Sequence, residues 1–272
     1  MPEVLTLRKQ LRGVRSTQKL ASAMRTTSMA KLSKLNGMYG QYSEYGAQCA
    51  KLLERYGSVY WEALRAADGA APAAVIVLAS NKGLCGSFNA DVLSFAVDQL
   101  PQLGAYHLIP CGREAIRFFR KKRIPAEKTA VFRDIPTYEE SCALFDEVVR
   151  WRMAGKVSRI LVIYPKYLGM MHQTPTIFEA FPENCPDADE MELLIPDRNT
   201  VVERTAEIVF RGMFYKLVLE SALGAQAATL MTMRTAYDAA TERCAELEGQ
   251  INRLRQSLIT ADIIETSGKR DV

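Results

Sequence analysis

Histidine and tryptophan are scarce, with two of each in 272 residues, and the six cysteines are spread thinly. Cys49, Cys85, Cys111, Cys142, Cys185 and Cys244 stand tens of residues apart with no C-x-x-C pair, and His107 and His172 are the only imidazoles. Such spacing offers neither a tetrahedral metal set nor a redox couple. Reduced, buried thiols are therefore expected, with no metal and no cofactor. Neither histidine has a nucleophile or carboxylate partner close by in sequence, so no catalytic constellation is expected. An uninterrupted apolar run of about 18 residues is also missing, which excludes a membrane-spanning helix of the usual kind. The opening MPEVLTLRKQLRG lacks the apolar core of a secretion signal and the serine-rich character of a transit leader, and a bacterial cytoplasmic setting is the simplest expectation. A net charge of +4 is too modest to call for nucleic acid.

Proline is absent after Pro196, and what replaces it is periodic. Leu230, Met233, Tyr237, Ala240, Cys244, Leu247, Ile251, Leu254 and Leu258 alternate steps of three and four, the spacing of a coiled-coil seam. One helix over roughly 197–266 follows, about 100 Å long at 1.5 Å per residue. A helix of that length cannot bury its stripe within its own domain. Residues 3–57 read as a second long helix, with Leu7, Leu11, Val14, Gln18 and Ala21 in the same rhythm and Leu32, Leu35, Tyr39 and Tyr42 continuing it. Between these runs the seam thins to Ser, Thr and Ala, leaving Met24 and Met29 as its larger apolar side chains.

The middle has another texture. The apolar runs at 74–79 and 159–164 predict strands buried on both faces. Between and after them fall a helix at 89–100, a strand at 105–110, a helix at 113–122, a short strand at 129–132, a helix at 138–152 and an edge strand at 173–181. This alternation predicts an α/β domain, three-layered and Rossmann-like with a mainly parallel sheet. It lies between two long terminal helices that form an antiparallel coiled coil. The expected boundaries are 1–57 for the N-terminal coiled-coil helix, 58–197 for the globular α/β domain and 198–272 for the C-terminal coiled-coil helix. Residues 182–196 read as an acidic loop.

Three stretches stand out as sites. Arg8, Arg12, Arg15 and Lys19 fall at four-three-four spacing and make one charged stripe; its bland reading is the solvated face of a coiled coil. The turn Lys82-Gly83-Leu84-Cys85-Gly86-Ser87-Phe88-Asn89 joins a strand to a helix. Its G-x-x-G spacing is neither a P-loop nor the dinucleotide fingerprint. A structural turn is expected, in which Gly83 and Gly86 allow positive φ and Ser87 or Asn89 caps the helix. Arg255 and Gln256 flank the C-terminal seam, where a planar guanidinium beside an amide suits directional contacts to carboxylates and carbonyls.

The segments 12–32, with Thr17-Gln18-Lys19 ahead of Ala23-Met24, 80–89, with KGLCGSFN, and 252–260, NRLRQSLIT, together resemble the three signature regions of the γ subunit of F-type ATP synthase, in the right order and over nearly the whole chain. The resemblance implies a noncatalytic central-stalk rotor, present in single copy and coupling ion flow through a membrane ring to ATP synthesis or hydrolysis in a surrounding ring of three α and three β subunits. It implies α, β, ε and c-ring partners, no nucleic acid, and a peripheral place on the cytoplasmic face of the bacterial inner membrane. It also implies that Arg255 and Gln256 bond to a loop of one β subunit with Asn252 and Thr260 nearby. The same resemblance implies that the stripe of Arg8, Arg12, Arg15 and Lys19, with Met24 beyond it, meets the ring's acidic loops, and that the turn with Gly83, Gly86 and Asn89 is structural. The chain departs from the family pattern at Ala225 and Thr229, where a Glu and an Arg are usual, at Ala261-Asp262, and in its charged SGKRDV tail. These departures point to a divergent branch. Two rival readings remain: a nucleotide-binding α/β enzyme that dimerises through its terminal helices, and a plain coiled-coil scaffold.

Overall fold

The computed structural model describes residues 2–64, 71–180 and 198–268. In chain order the elements are α1 (Pro2–Leu64), β1 (Ala73–Leu78), α2 (Phe88–Gln99), a 3-10 turn (Leu100–Leu103), β2 (Tyr106–Cys111), α3 (Arg113–Lys121), α4 (Tyr138–Met153), β3 (Arg159–Tyr167), β4 (Gln173–Glu179) and α5 (Arg198–Gly268). Contacts divide the chain into two units, Met1–Ser28 with Leu230–Val272, and Met29–Thr229. The division falls inside both long helices. Cys185 and the loop at 182–196 lie outside the described residues, as does the side chain of Cys49.

In the larger unit a four-stranded mixed sheet runs β2-β1-β3-β4. β1 pairs in parallel with β2 and with β3, while β4 returns antiparallel along β3. Every side chain of β1 is buried, which is why its sequence is continuously apolar rather than alternating. One face of the sheet packs on α2 and α3 through Val92, Leu93, Ala96, Ala115 and Phe119. The other packs on α4 and α5 through Leu144, Phe145, Val148, Phe210, Phe214 and Val218. The expected strand at 129–132 is a correction: it supplies only a single parallel bridge between Cys111 and Ala130. The main-chain carbonyl of Phe132 accepts from the Asn81 amide at 2.5 Å, so a side chain takes the place of the next ladder bond.

Local signals set several boundaries. Thr137 and Glu140 close a reciprocal capping box at the start of α4. Gly112 stands between β2 and α3 at φ +95°, and a Cβ there would meet the Ala79 carbonyl oxygen at 2.2 Å. Only glycine fits this close approach. Tyr45 of α1 lies over Gly212 of α5 in a similar way, its ring 2.2 Å from where a Cβ would sit.

Within the same unit Leu35 of α1 packs with Tyr215, Leu219 and Leu223 of α5. Beside them Glu220 is 4% exposed, and its carboxylate accepts from the Tyr167 main-chain N–H at 2.8 Å, which ties α5 to the end of β3. Burial pushes the Glu220 carboxyl above the ordinary glutamate value, while that N–H and the nearby Lys216 and Lys166 pull it partly back.

Two outcomes follow from these positions. Gly112→Ala should cost on the order of 3 kcal/mol in urea unfolding, because it combines backbone strain with a clash against main chain; a loss below about 1 kcal/mol would mean that the Ala79 carbonyl yields freely. Since the folded Glu220 value lies above the unfolded one, its contribution is complete below the unfolded value of 4.5 and is lost as pH rises through the folded value. Glu220→Gln cannot ionise, so its melting temperature should exceed the parent's at neutral pH, with the gap closing below pH 4.5; a gap independent of pH would contradict this account.

Candidate functional site

In the unit formed by the chain ends, α1 and α5 run past each other in opposite directions. Arg15 pairs with Glu248 at 2.5 Å, the Gln18 amide donates to Thr241 Oγ1 at 2.8 Å, and Arg25 lies 5.0 Å from the centre of the Tyr237 ring. As one number rises the other falls. Leu11, Cys244, Leu247 and Ile251 are buried between the helices with Val4, Leu7 and Val14 around them. Leu230, Met233 and Ala240 of the expected seam are also buried, whereas Leu258 is 37% exposed, so apolar contact fades toward the end of α5.

The polar residues flank this seam. Arg8, Arg12, Arg15 and Lys19 are all exposed and Met24 is half-buried. One member of the stripe, Arg15, is engaged with Glu248. Arg255, Gln256, Asn252 and Thr260 are exposed on α5, and the Thr260 hydroxyl donates to the Gln256 main-chain carbonyl at 2.9 Å. The structure therefore keeps the guanidinium of Arg255 and the amide of Gln256 on a solvated face. Ile259, Ile263 and Ile264 beyond them are exposed as well, an apolar stretch that seam periodicity alone does not distinguish from core.

In the larger unit the turn after β1 is held by its own side chains. The Asn89 amide donates to Ser80 Oγ at 2.8 Å and to Cys85 Sγ at 3.1 Å, and accepts from the Ser80 main-chain N–H at 3.0 Å. Burial pushes the Cys85 thiol up, so it is a packed group rather than a nucleophile. Positive φ falls at Leu84 and Gly86, at 63° and 61°, and not at Gly83, whose Cβ position is open space. This corrects the expectation for Gly83. Capping differs too: Ser87 occupies the N-cap position of α2 but makes no capping bond, and its hydroxyl donates to the Asp91 carboxylate at 2.7 Å.

Among the described residues the arrangement around this turn does not favour a nucleotide. Asp91 places the chain's own carboxylate in the first turn of α2, where a phosphate would otherwise find the helix dipole. Lys82 is bound to Asp134 at 2.8 Å, and Lys31 of α1 pairs with the same carboxylate. Burial raises the Asp134 carboxyl, but the hydrogen bonds from Lys31 and Lys82 outweigh it and hold it below the ordinary aspartate value. The crevice beyond Leu78 and Cys111 is covered by Val218, Ser221, Ala222 and Ala225 of α5, and a cavity of only about 50 Å³ remains. Small-molecule pockets run to roughly 300 Å³ and more. Nothing in the sequence pattern marked Asp134, since its two lysines come from 103 and 52 residues away.

His107 pairs with Glu127 at 3.4 Å, and His172 is exposed on the β3–β4 hairpin. Among the described residues no three His, Cys, Asp or Glu side chains gather as a metal site, and Cys85, Cys111, Cys142 and Cys244 are buried free thiols.

Known proteins agree with this geometry. The family model described as ATP synthase matches residues 3–268. An ATP synthase gamma chain of Gemmatimonas aurantiaca is 28% identical, covering 96% of this chain and 96% of its own length. One of Rubrobacter xylanophilus is 29% identical, covering 97% and 96%. Among solved structures, a chain of the Euglena gracilis mitochondrial ATP synthase superposes with TM-score 0.67 at 17% identity over 98% of this chain and 93% of that one. A chain from the central stalk and c-ring of the Tetrahymena thermophila enzyme gives TM-score 0.63 at 18% identity, over 80% and 99%. At such identities the structures speak for the fold alone, and it is the sequence match along nearly the full length that settles kinship: the chain belongs to the ATP synthase family, among its gamma chains.

Proposed function

We propose that the chain works as the rotor of the central stalk, coupling ion flow through the membrane ring to ATP synthesis or hydrolysis in the surrounding ring of α and β subunits. The match of the family model over residues 3–268 carries this reading. The protein is not itself an enzyme. A single asymmetric axle inside a threefold ring presents a different face to each catalytic site, and it shifts each site's conformation only through contacts that differ between the open and closed states.

In this reading 1–57 and 198–272 form an antiparallel coiled coil, with the α/β domain, 58–197, inserted between them. The cross-helix contacts at Arg15, Gln18 and Leu247 support the pairing. Arg255 and Gln256, with Asn252 and Thr260, engage a loop of one β subunit. Arg8, Arg12 and Lys19 meet acidic loops of the ring, and Arg15 divides its charge between that ring and Glu248. Met24 adds apolar contact, and Gly83, Gly86 and Asn89 shape a structural turn. The ε subunit and the c-ring are further partners of one copy of the chain per complex, peripheral to the cytoplasmic face of the bacterial inner membrane. The filled crevice over β1 and β2 argues against the nucleotide-binding alternative.

Replacing both Arg255 and Gln256 by Ala should lower ion-coupled ATP hydrolysis of the reconstituted complex roughly tenfold, as expected for losing charge-assisted hydrogen bonds, with assembly checked by the subunit stoichiometry of the purified complex. Parent-level coupling in a fully assembled complex would remove the pair from the contact.

A further inference from the structure

The most concentrated charge on the molecule lies outside every site described above. From Arg113 to Arg123 there are six cations, Arg113, Arg117, Arg120, Lys121, Lys122 and Arg123, against Glu114 alone, a local balance of +5 that exceeds the +4 of the whole chain. Helix α3 turns Ala115 and Phe119 into the core, and all six cations are exposed. Arg117 pairs with Glu114 at 3.1 Å and Lys122 lies 5.9 Å from the Phe118 ring centre. The other four have no ion pair among the described residues. Cations in the last turn of a helix complement its dipole, which gives Arg120 and Lys121 an ordinary role. Arg113, in the first turn, sits where the dipole repels a positive charge. Local stability therefore does not explain the set.

We infer that the outward face of α3 is a docking surface for anionic phospholipid headgroups. Several observations select this occupant. No aromatic ring is free to stack on bases: Phe119 is 1% exposed and Phe118 is packed edge-on against it at 5.4 Å, which disfavours nucleic acid. No large apolar side chain projects from the helix among the cations, so the contact is electrostatic and superficial rather than inserted. Clusters of four to eight basic residues on one helix face are attracted to anionic leaflets. The inference rests on the rotor reading, and a fluid bilayer suits a patch that turns. Headgroups of a fluid bilayer rearrange as the patch turns, so the attraction has no preferred angle.

The test is flotation of the full chain with vesicles of phosphatidylcholine alone or with roughly one-third phosphatidylglycerol. The parent should float with the anionic vesicles only, at about 0.1 M salt, and be released at about 1 M, where screening is nearly complete. Changing Arg113, Arg120, Lys121 and Lys122 together to Gln should weaken that partition about tenfold or more. The charge-matched variant with Arg8, Lys9, Arg12 and Lys19 changed to Gln should stay close to the parent. Absence of binding by the parent, equal binding to neutral vesicles, or an equal loss in the charge-matched variant would each overturn the proposal. So would failure of the α3 variant alone to assemble with its partner subunits, which would make the patch a protein contact. Assembly and ATP hydrolysis of the parent complex are read in parallel: a working complex without vesicle binding sinks the lipid contact and leaves the rotor intact, while a parent that joins no such complex sinks the rotor reading.

Discussion

The burial of α5 is the constraint on which the rest depends. Between Val209 and Ala227 this helix is buried on nearly every side, with Phe214, Tyr215, Leu219 and Leu223 at 2% exposure or less. From Leu230 to Ile251 it is buried only along one stripe, with Ala240, Cys244, Leu247 and Ile251 recurring at three- and four-residue steps. A helix surrounded by protein needs apolar residues all round, and a helix that meets one partner needs a single seam. The same 71-residue element meets both demands in turn, and this is what lets one chain combine an α/β unit with a two-helix unit.

Within the α/β unit, α5 also lines the crevice at the carboxyl ends of β1 and β2. Such crevices open outside the carboxyl ends of parallel strands. Here Val218, Ser221, Ala222 and Ala225 cover that end, Asp134 neutralises Lys82 and Lys31, and Asp91 supplies the negative charge at the start of α2. These charged groups are therefore engaged within the chain. This edge of the sheet serves as a mount for a helix.

Polar groups fix the register of this mount. Glu220 joins α5 to the end of β3 through the Tyr167 N–H, and the Tyr215 hydroxyl donates to the Pro136 carbonyl at 3.0 Å. Arg211 makes a two-bonded pair with Asp146 of α4, at 2.6 Å for each bond. Apolar packing alone would allow α5 to slide or rotate by a fraction of a turn at modest cost. Directional bonds from three successive turns of the helix oppose that motion, as a part that transmits torque requires.

Periodicity alone determined the two long helices, the buried strands at 74–79 and 159–164, and the helices beginning near 89, 113 and 138, because each of these repeats follows from which faces must leave water. Resemblance to a family added the reading of Arg255, Gln256 and the basic stripe, whose exposure fits a partner contact but whose partner lies outside the chain. Tertiary structure decided what depends on residues far apart in sequence: the reduction of 129–132 to one bridge, the positive φ at Leu84 in place of Gly83, the Asp134 junction and the filled crevice. Backbone conformation in a turn and the pairing of a carboxylate answer to neighbours that only folding brings near, and no local pattern of residue types records them.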